Sequence, residues 1–304
     1  MQLIHSINTP TISIGVPVYN GEETLTAALD SLLAQSFTDF EIIISDNAST
    51  DKTEDICLSF CKRDSRIIYI RQEKNIGAAK NFEFVLKKSQ GRYFTWAAAD
   101  DLRSSDFLEK NFIYLENNLD YVASTSPNKF EDKNETVSKL IKFSIEGDIE
   151  ERLEKFLKNC WTSHGIYYSL IRTKTLKRYP HYGESFFAAD WSIISFLLCQ
   201  GQIKRTNSGL ITLGNAGLSS GVNVWKTFRN NFFCWLAPLY KFSFHTFKFY
   251  TASSSKKRVS LALKLAKLNY SATKQQAISE SYLLYKKILS KSTNRLKQKA
   301  KKGK

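Results

Sequence analysis

The chain has 304 residues, 42% of them hydrophobic and 24% charged, with a formal net charge of +15. That length and apolar content suit one large α/β domain with an extension, or two domains. No window of 18 apolar residues is free of charge, which argues against a spanning helix, and five scattered cysteines without Cys/His spacing read as free thiols rather than disulfides or a zinc site.

The charge is unevenly spread. Residues 225–304 carry 19 Lys/Arg against one acid, Glu280, a net +18, while residues 1–224 carry 25 bases and 28 acids, a net −3. A mildly acidic body is joined to a strongly basic C-terminal region, and it is that region that meets any anionic surface. The opening MQLIHSINTP lacks the basic stretch and apolar core of a cleavable signal, so a cytoplasmic location is expected.

From the N-terminus, TISIGV (11–16) predicts a strand ending at Pro17, and Leu25, Ala28, Leu29, Leu32 and Leu33 then recur at helical spacing. FEIIIS (40–45) predicts a second strand, followed by a helix opening near Asp51–Glu54 in what resembles a capping box. RIIYI (66–70) is a third strand, and Ala78, Phe82, Val85 and Leu86 mark a third helix. RYFTWAA (92–98) is a fourth, running into Asp100 and Asp101, before a helix over about 105–117 and a short strand at YVAST. This alternation predicts an α/β fold with a mainly parallel sheet and helices on both faces.

Ligands of such sheets bind beyond the carboxyl ends of the strands. The polar residues fall there: Pro17 to Asn20, Asp46 and Asn47, Arg71 with Asn75 and Gly77, and the pair Asp100–Asp101. Paired acids at the end of a buried strand are costly unless a cation or a set of donors meets them. A hard divalent ion shared with substrate phosphates is the commonest reason for them. An aromatic ring, a base-reading acid, a cation and an acid pair make a plausible inventory for a nucleoside diphosphate with its metal. Neither G-x-G-x-x-G nor G-x-x-x-x-G-K-[ST] occurs, so the diphosphate is expected to be held by metal and side chains. The same residues have a plainer reading, since Asp, Asn and Ser also make turns and caps.

The run ISIGVPVYNGEETLTAALDSLLAQSFTDFEIIISDNASTDKT, with NIGAAKNF and Asp100–Asp101 following in order, resembles the N-terminal half of family 2 glycosyltransferases. The resemblance is specific over roughly 11–110, thins toward 215 and implies the GT-A fold. It also implies inverting transfer of a sugar from a nucleotide donor, with Mg²⁺ or Mn²⁺. Carried over residue by residue, Tyr19 with Pro17 and Val18 would lie against the base, and Asp46 would accept the imide N–H of a uracil- or thymine-type base. Asn20, Glu22 and Asn47 would belong to the same nucleotide-sugar surface. Arg71 would help neutralise the pyrophosphate, with Asn75, Gly77 and Asn81 shaping the pocket below it. Asp100 would face the ribose or donor sugar, and Asp101 would hold the metal. Where many members carry one more acid, this chain has Ala98, and Lys80 stands where an Arg is common.

For the acceptor, the resemblance points to Asp190, just before the apolar run Trp191–Gln200, as catalytic base, with Glu184 as the nearest rival. Aromatic neighbours would raise its pKa and the helix N-terminus would lower it. His164 could contact acceptor or metal, and the polar loop Gly214–Gly221 could close over the donor or simply link to the C-terminal region. The expected halves are 1–125 for the donor and 126–222 for acceptor and catalysis.

Residues 225–250 hold eleven aromatics, with Pro238 interrupting any helix. Two helical patterns follow, Leu261, Leu265 and Leu268, then Ile278, Tyr282, Tyr285 and Leu289, and the last 14 or so residues are expected to be disordered. Aromatics beside Lys/Arg suit an anionic membrane surface. The same composition could bind nucleic acid, but such a binder would have little use for the crevice. Two functions remain open at this point. One is an inverting glycosyltransferase on the inner face of a bacterial membrane, acting on a glycan or lipid-linked acceptor in surface polysaccharide synthesis. The other is a degenerate nucleotide-binding protein whose basic region recruits nucleic acid or a partner.

Overall fold

Apolar runs that can leave neither face in water form the centre of the sheet. In the computed structural model, which describes residues 9–131, 144–215, 224–229, 231–251 and 254–302, strands β1 (Ile12–Val18) and β2 (Phe40–Asp46) are buried along their whole lengths. Such strands need a layer on each side. Between them runs α1 (Leu25–Leu33), which buries the predicted stripe Leu25, Ala28, Leu29 and Leu32. Next come α2 (Thr53–Arg63), β3 (Ile67–Arg71), α3 (Ala78–Lys88) and β4 (Tyr93–Trp96).

The chain continues through β5 (Leu102–Arg103), α4 (Phe107–Asn117), β6 (Tyr121–Thr125), β7 (Asn128–Phe130), α5 (Ile149–Asn159) and β8 (Leu170–Arg172). Then follow α6 (Thr173–Leu176), α7 (Ala189–Gln200), β9 (Gln202–Arg205) and β10 (Ile211–Leu213). The main sheet has the order β3-β2-β1-β4-β8-β6-β9. Its first four strands are parallel, as the alternation predicts. The β6 strand does not lie beside β4, because β8 inserts antiparallel to both. A second sheet, β5-β10-β7, lies beyond the end of β4. Its strands of two or three residues give no periodic signal.

The predicted capping box at α2 is absent. The N-cap, Lys52, makes no side-chain cap. Instead Glu22 accepts the Lys52 N–H and Asp51 accepts the Thr53 N–H, so a neighbouring loop satisfies the orphan donors. A reciprocal box does form at α5, between Asp148 and Glu151. All five cysteines are free thiols, and burial pushes Cys57 up to about 12.

The chain divides near residue 220 into two units, with Phe186–Ala188 belonging to the second. The second unit contains α8 (Val224–Thr227), α9 (Phe232–Leu236), α10 (Tyr240–Phe249) and α11 (Ser255–Lys302), with Pro238 between α9 and α10. In place of two helical segments and a disordered end, α11 is one helix of 48 residues. It buries Leu261, Leu265, Leu268 and Ala272, and Asn269 fastens it to α10 by donating to the Ser243 hydroxyl at 2.6 Å. The second predicted stripe is on the outside: Ile278 is 70% exposed and Tyr285 59%. Among the described residues no helix is long and apolar enough to cross a membrane.

Helix α3 sits directly on β1 at Gly15, where an added Cβ would stand 2.6 Å from Val85 Cγ2 and 2.7 Å from Phe94 Cζ. Gly15→Ala therefore overpacks the core and is expected to cost about 1–3 kcal/mol. Urea denaturation would show a lower midpoint at unchanged slope.

Candidate active site

Parallel register sets the first half of the site. It aligns Val18 with Asp46 and Asp46 with Arg71 at the carboxyl edge, so the last two side chains meet. Asp46 is fully buried. Its Oδ1 accepts the Ser49 N–H at 2.8 Å, and its Oδ2 accepts the Tyr69 hydroxyl at 2.9 Å and Arg71 Nη1 at 2.7 Å. Arg71 also donates to the Ser49 carbonyl at 2.9 Å and lies 3.3 Å from Glu54. Asp46 thus has no exposed surface, and the Arg71 guanidinium is engaged by two carboxylates and a carbonyl.

The asparagines around this pair are mostly framework. Asn81 is buried and bonds Ser45 from both ends, accepting its hydroxyl at 2.6 Å and donating to its carbonyl at 2.9 Å. Asn47 is buried, accepts the Ile76 N–H and donates to Asn75, which in turn accepts the Gly77 N–H. Asn20 has φ +51° and accepts the Thr50 N–H. Pro17 and Val18 are buried in β1, whereas Tyr19 is half exposed, and Asn20, Glu22, Asn75 and Gly77 are exposed. The surface left for a ligand at this edge is therefore Tyr19 with the exposed loop residues, carried on a buried polar frame. Sequence reasoning missed Tyr69 in that frame.

The second half is set by the small sheet. Antiparallel pairing of β10 with β5 brings the chain just past β10 alongside the acid pair. There the Gly214 N–H donates to Asp101 Oδ1 at 3.0 Å, and a Cβ on Gly214 would collide with the Asp100 carbonyl and carboxylate. Asp101 is buried, with Oδ2 lacking any hydrogen-bond partner; the nearest cation is Arg103 Nη1, 3.7 Å away. Burial raises the Asp101 carboxyl, against the opposing pull of Arg103 and the Gly214 N–H. Arg103 is itself buried, donates to the carbonyls of Leu102 and Trp96, and faces the rings of Phe107 and Tyr168. A hard divalent cation fits this donor set, because an orphaned carboxylate oxygen is the ligand it takes and Asp100 supplies a second, half-buried carboxylate beside it. Arg103, missed from sequence, already answers part of the charge.

Burial raises the hydroxyl of Tyr168, just ahead of β8, and the charges of Asp101, Asp100 and Asp190 raise it further, against the opposing effect of Arg103. Asp190 is the second residue of α7. Its surface is exposed, yet burial pushes its carboxyl up to about 6, against the lowering effect of the Trp191 and Asp190 N–H groups. Of the two opposing effects expected from sequence, desolvation wins. Glu184 is engaged with His181 Nδ1 at 2.9 Å. The His164 side chain and most of the predicted closing loop, Ala216–Gly221, lie outside the described residues.

The model for glycosyl transferase family 2 matches residues 13–196, more than half of the sequence, from β1 into α7. The chain belongs to this family. An uncharacterized glycosyltransferase of Methanocaldococcus jannaschii is 30% identical over 178 residues, covering 58% of this chain and 60% of the relative. TuaG of Bacillus subtilis, named for teichuronic acid biosynthesis, is 37% identical over 106 residues, covering 35% of this chain and 42% of TuaG. The chain thus spans less than two thirds of either relative. The crystal structure of S. aureus TarS 1–349 with UDP-GlcNAc superposes with a TM-score of 0.65 at 18% identity, covering 86% of this chain and 73% of that one, a likeness of fold.

Because Asp46 joins two strand ends and a loop from inside the protein, Asp46→Ala leaves the Ser49 N–H, Tyr69 hydroxyl and Arg71 guanidinium without their acceptor. The expected loss is about 3 kcal/mol of stability, measurable by urea denaturation without any ligand. A residue serving only to contact a nucleotide would show no such loss.

Proposed function

We propose that this chain is an inverting glycosyltransferase that moves a sugar from a nucleoside-diphosphate sugar to an acceptor hydroxyl. The observation that carries the reading is the buried Asp101 carboxylate beyond the end of β4, whose Oδ2 has no hydrogen-bond partner and which stands next to Asp100. Family membership and the TarS likeness support it.

The base rests against Tyr19 and the loops carrying Asn20, Glu22, Asn75 and Gly77. Asp46, Asn47, Arg71 and Asn81 hold those loops from behind, with Pro17 and Val18 as the floor. A uracil- or thymine-type base is favoured, a reading supported by the likeness to TarS in complex with UDP-GlcNAc. Asp100 faces the ribose or donor sugar, and the free oxygen of Asp101 holds Mg²⁺ or Mn²⁺, which when bound offsets the charge of the departing diphosphate. Arg103 lowers the field that Asp101 presents, so the ion is held weakly until donor phosphates complete its shell. Asp190 takes the acceptor's proton as the hydroxyl oxygen bonds to the anomeric carbon and the bond from that carbon to the diphosphate breaks. A carboxyl raised to about 6 suits that task, being ionised at neutral pH yet a better proton acceptor than an ordinary aspartate. The acceptor is a glycan or a lipid-linked glycan of bacterial surface polysaccharide, a placement supported by TuaG's name, and the enzyme works peripherally on the cytoplasmic face of the membrane.

Asp190→Asn is expected to lower turnover of the cognate nucleotide sugar by about 10²-fold or more. In the wild type, kcat/KM falls as pH drops through about 6. The stability sign is opposite to that of a paired aspartate. A folded-state pKa raised above the unfolded value penalises folding above about pH 6, and the penalty vanishes below the unfolded pKa. The melting temperature of Asp190→Asn at pH 8 should therefore equal or exceed that of the wild type. Full activity in the folded variant rejects this base.

Titrating Mn²⁺ by electron paramagnetic resonance should show binding at least tenfold tighter with UDP present than without it. Asp101→Asn should abolish the UDP-dependent component. Equal affinity with and without nucleotide contradicts the shared-shell reading.

A further inference from the structure

Helix α11 is apolar on two opposite faces. The face carrying Leu261, Leu265, Leu268 and Ala272 is buried. On the other side Val259, Leu263, Tyr270, Ile278 and Tyr285 follow one another at helical spacing, and each is more than half exposed. Exposed Lys267 and Lys274 fall in the gaps of the same stripe, and the Lys274 ammonium lies 4.8 Å from the Tyr270 ring centroid. At 1.5 Å per residue the stripe is about 40 Å long. Beside it, α9 exposes Phe232, Phe233, Trp235 and Leu236, fixed in place where the Thr273 hydroxyl donates to the Leu236 carbonyl at 2.9 Å.

Charge selects the occupant. Residues 225–304 hold 19 bases and a single acid, and that acid, Glu280, is paired internally with Arg229 at 2.7 Å. A second copy of the chain would set lysine against lysine along the stripe, and no acid remains to relieve it. An anionic surface that also accepts apolar groups satisfies both halves of the pattern at once. Aromatic and aliphatic side chains enter the headgroup and acyl boundary while lysines stay at the headgroups.

We propose that the outer face of α11, together with the adjoining α9 aromatics, is an interfacial docking surface for an anionic lipid bilayer, lying in the plane of the interface rather than crossing it. The inference rests on the peripheral membrane location proposed above and specifies the residues that carry it.

The test is flotation of the intact chain with vesicles of phosphatidylcholine alone and with 30% phosphatidylglycerol, for wild type and two double variants. Leu263→Glu/Ile278→Glu places two acids on the stripe, whereas Ile68→Glu/Ile113→Glu adds the same charge on exposed sites of the first unit. Wild type and control should bind the anionic vesicles alike, and the stripe variant at least tenfold more weakly. Lys267→Gln/Lys274→Gln, which leaves the apolar stripe intact, should reduce binding to anionic vesicles and make its loss with salt shallower. Failure of the wild type to bind anionic vesicles defeats the membrane location itself. Binding by the wild type that the stripe variant retains in full defeats this face only. A wild-type dimer in sedimentation that the stripe variant dissociates, or nucleic-acid retention that it loses, without vesicle binding by either, overturns the lipid in favour of that partner.

Discussion

A carboxylate taken out of water must be met by donors or positive charge, and much of this molecule's first unit is organised around meeting that demand twice. Asp46 and Asp101 are both buried at strand ends. The first is answered completely, by a backbone N–H, a phenol and a guanidinium. The second is answered only in part, with one oxygen on Gly214 and the other short of hydrogen-bond range from Arg103. The contrast lies in what surrounds each acid, which residue type alone does not reveal. A satisfied buried carboxylate holds elements together, whereas an unsatisfied one is held in readiness for something the chain does not itself supply.

The small sheet makes that readiness possible. Without the pairing of β10 with β5, nothing would bring the Gly214 N–H to Asp101 across more than a hundred residues of sequence. The pairing also explains why the glycine is needed, since its backbone passes where any side chain would strike Asp100. A two-stranded contact of a few residues thus sets the geometry of the acid pair, while the large sheet only delivers it to the edge.

The parallel half of the fold was legible because buried parallel strands read as uninterrupted β-branched runs, as in FEIIIS and TISIGV, and α1 and α3 showed clear apolar stripes. The antiparallel insertion of β8 and the second sheet were not, because elements of two or three residues carry no period. Asp100 and Asp101 were legible as an acid pair beyond a buried strand, and Asp190 as an acid at the start of an apolar helix. The ion pair of Asp46 with Arg71 was not legible, because register makes them neighbours on adjacent strands, and register between strands is invisible in one sequence. Arg103 and Tyr168 went unremarked for a similar reason, since their meaning depends on what they face. In the second unit, composition correctly set a basic, aromatic region apart from the body but divided α11 where the structure runs it continuously to Lys302.

The internal pairing of Glu280 with Arg229 has a consequence for how the second unit can be controlled. With its one acid paired, the basic excess of residues 225–304 has no further acid in that stretch to offset it. What can weaken its attraction for anions is ionic strength, competing multivalent counterions, or covalent removal of lysine charge.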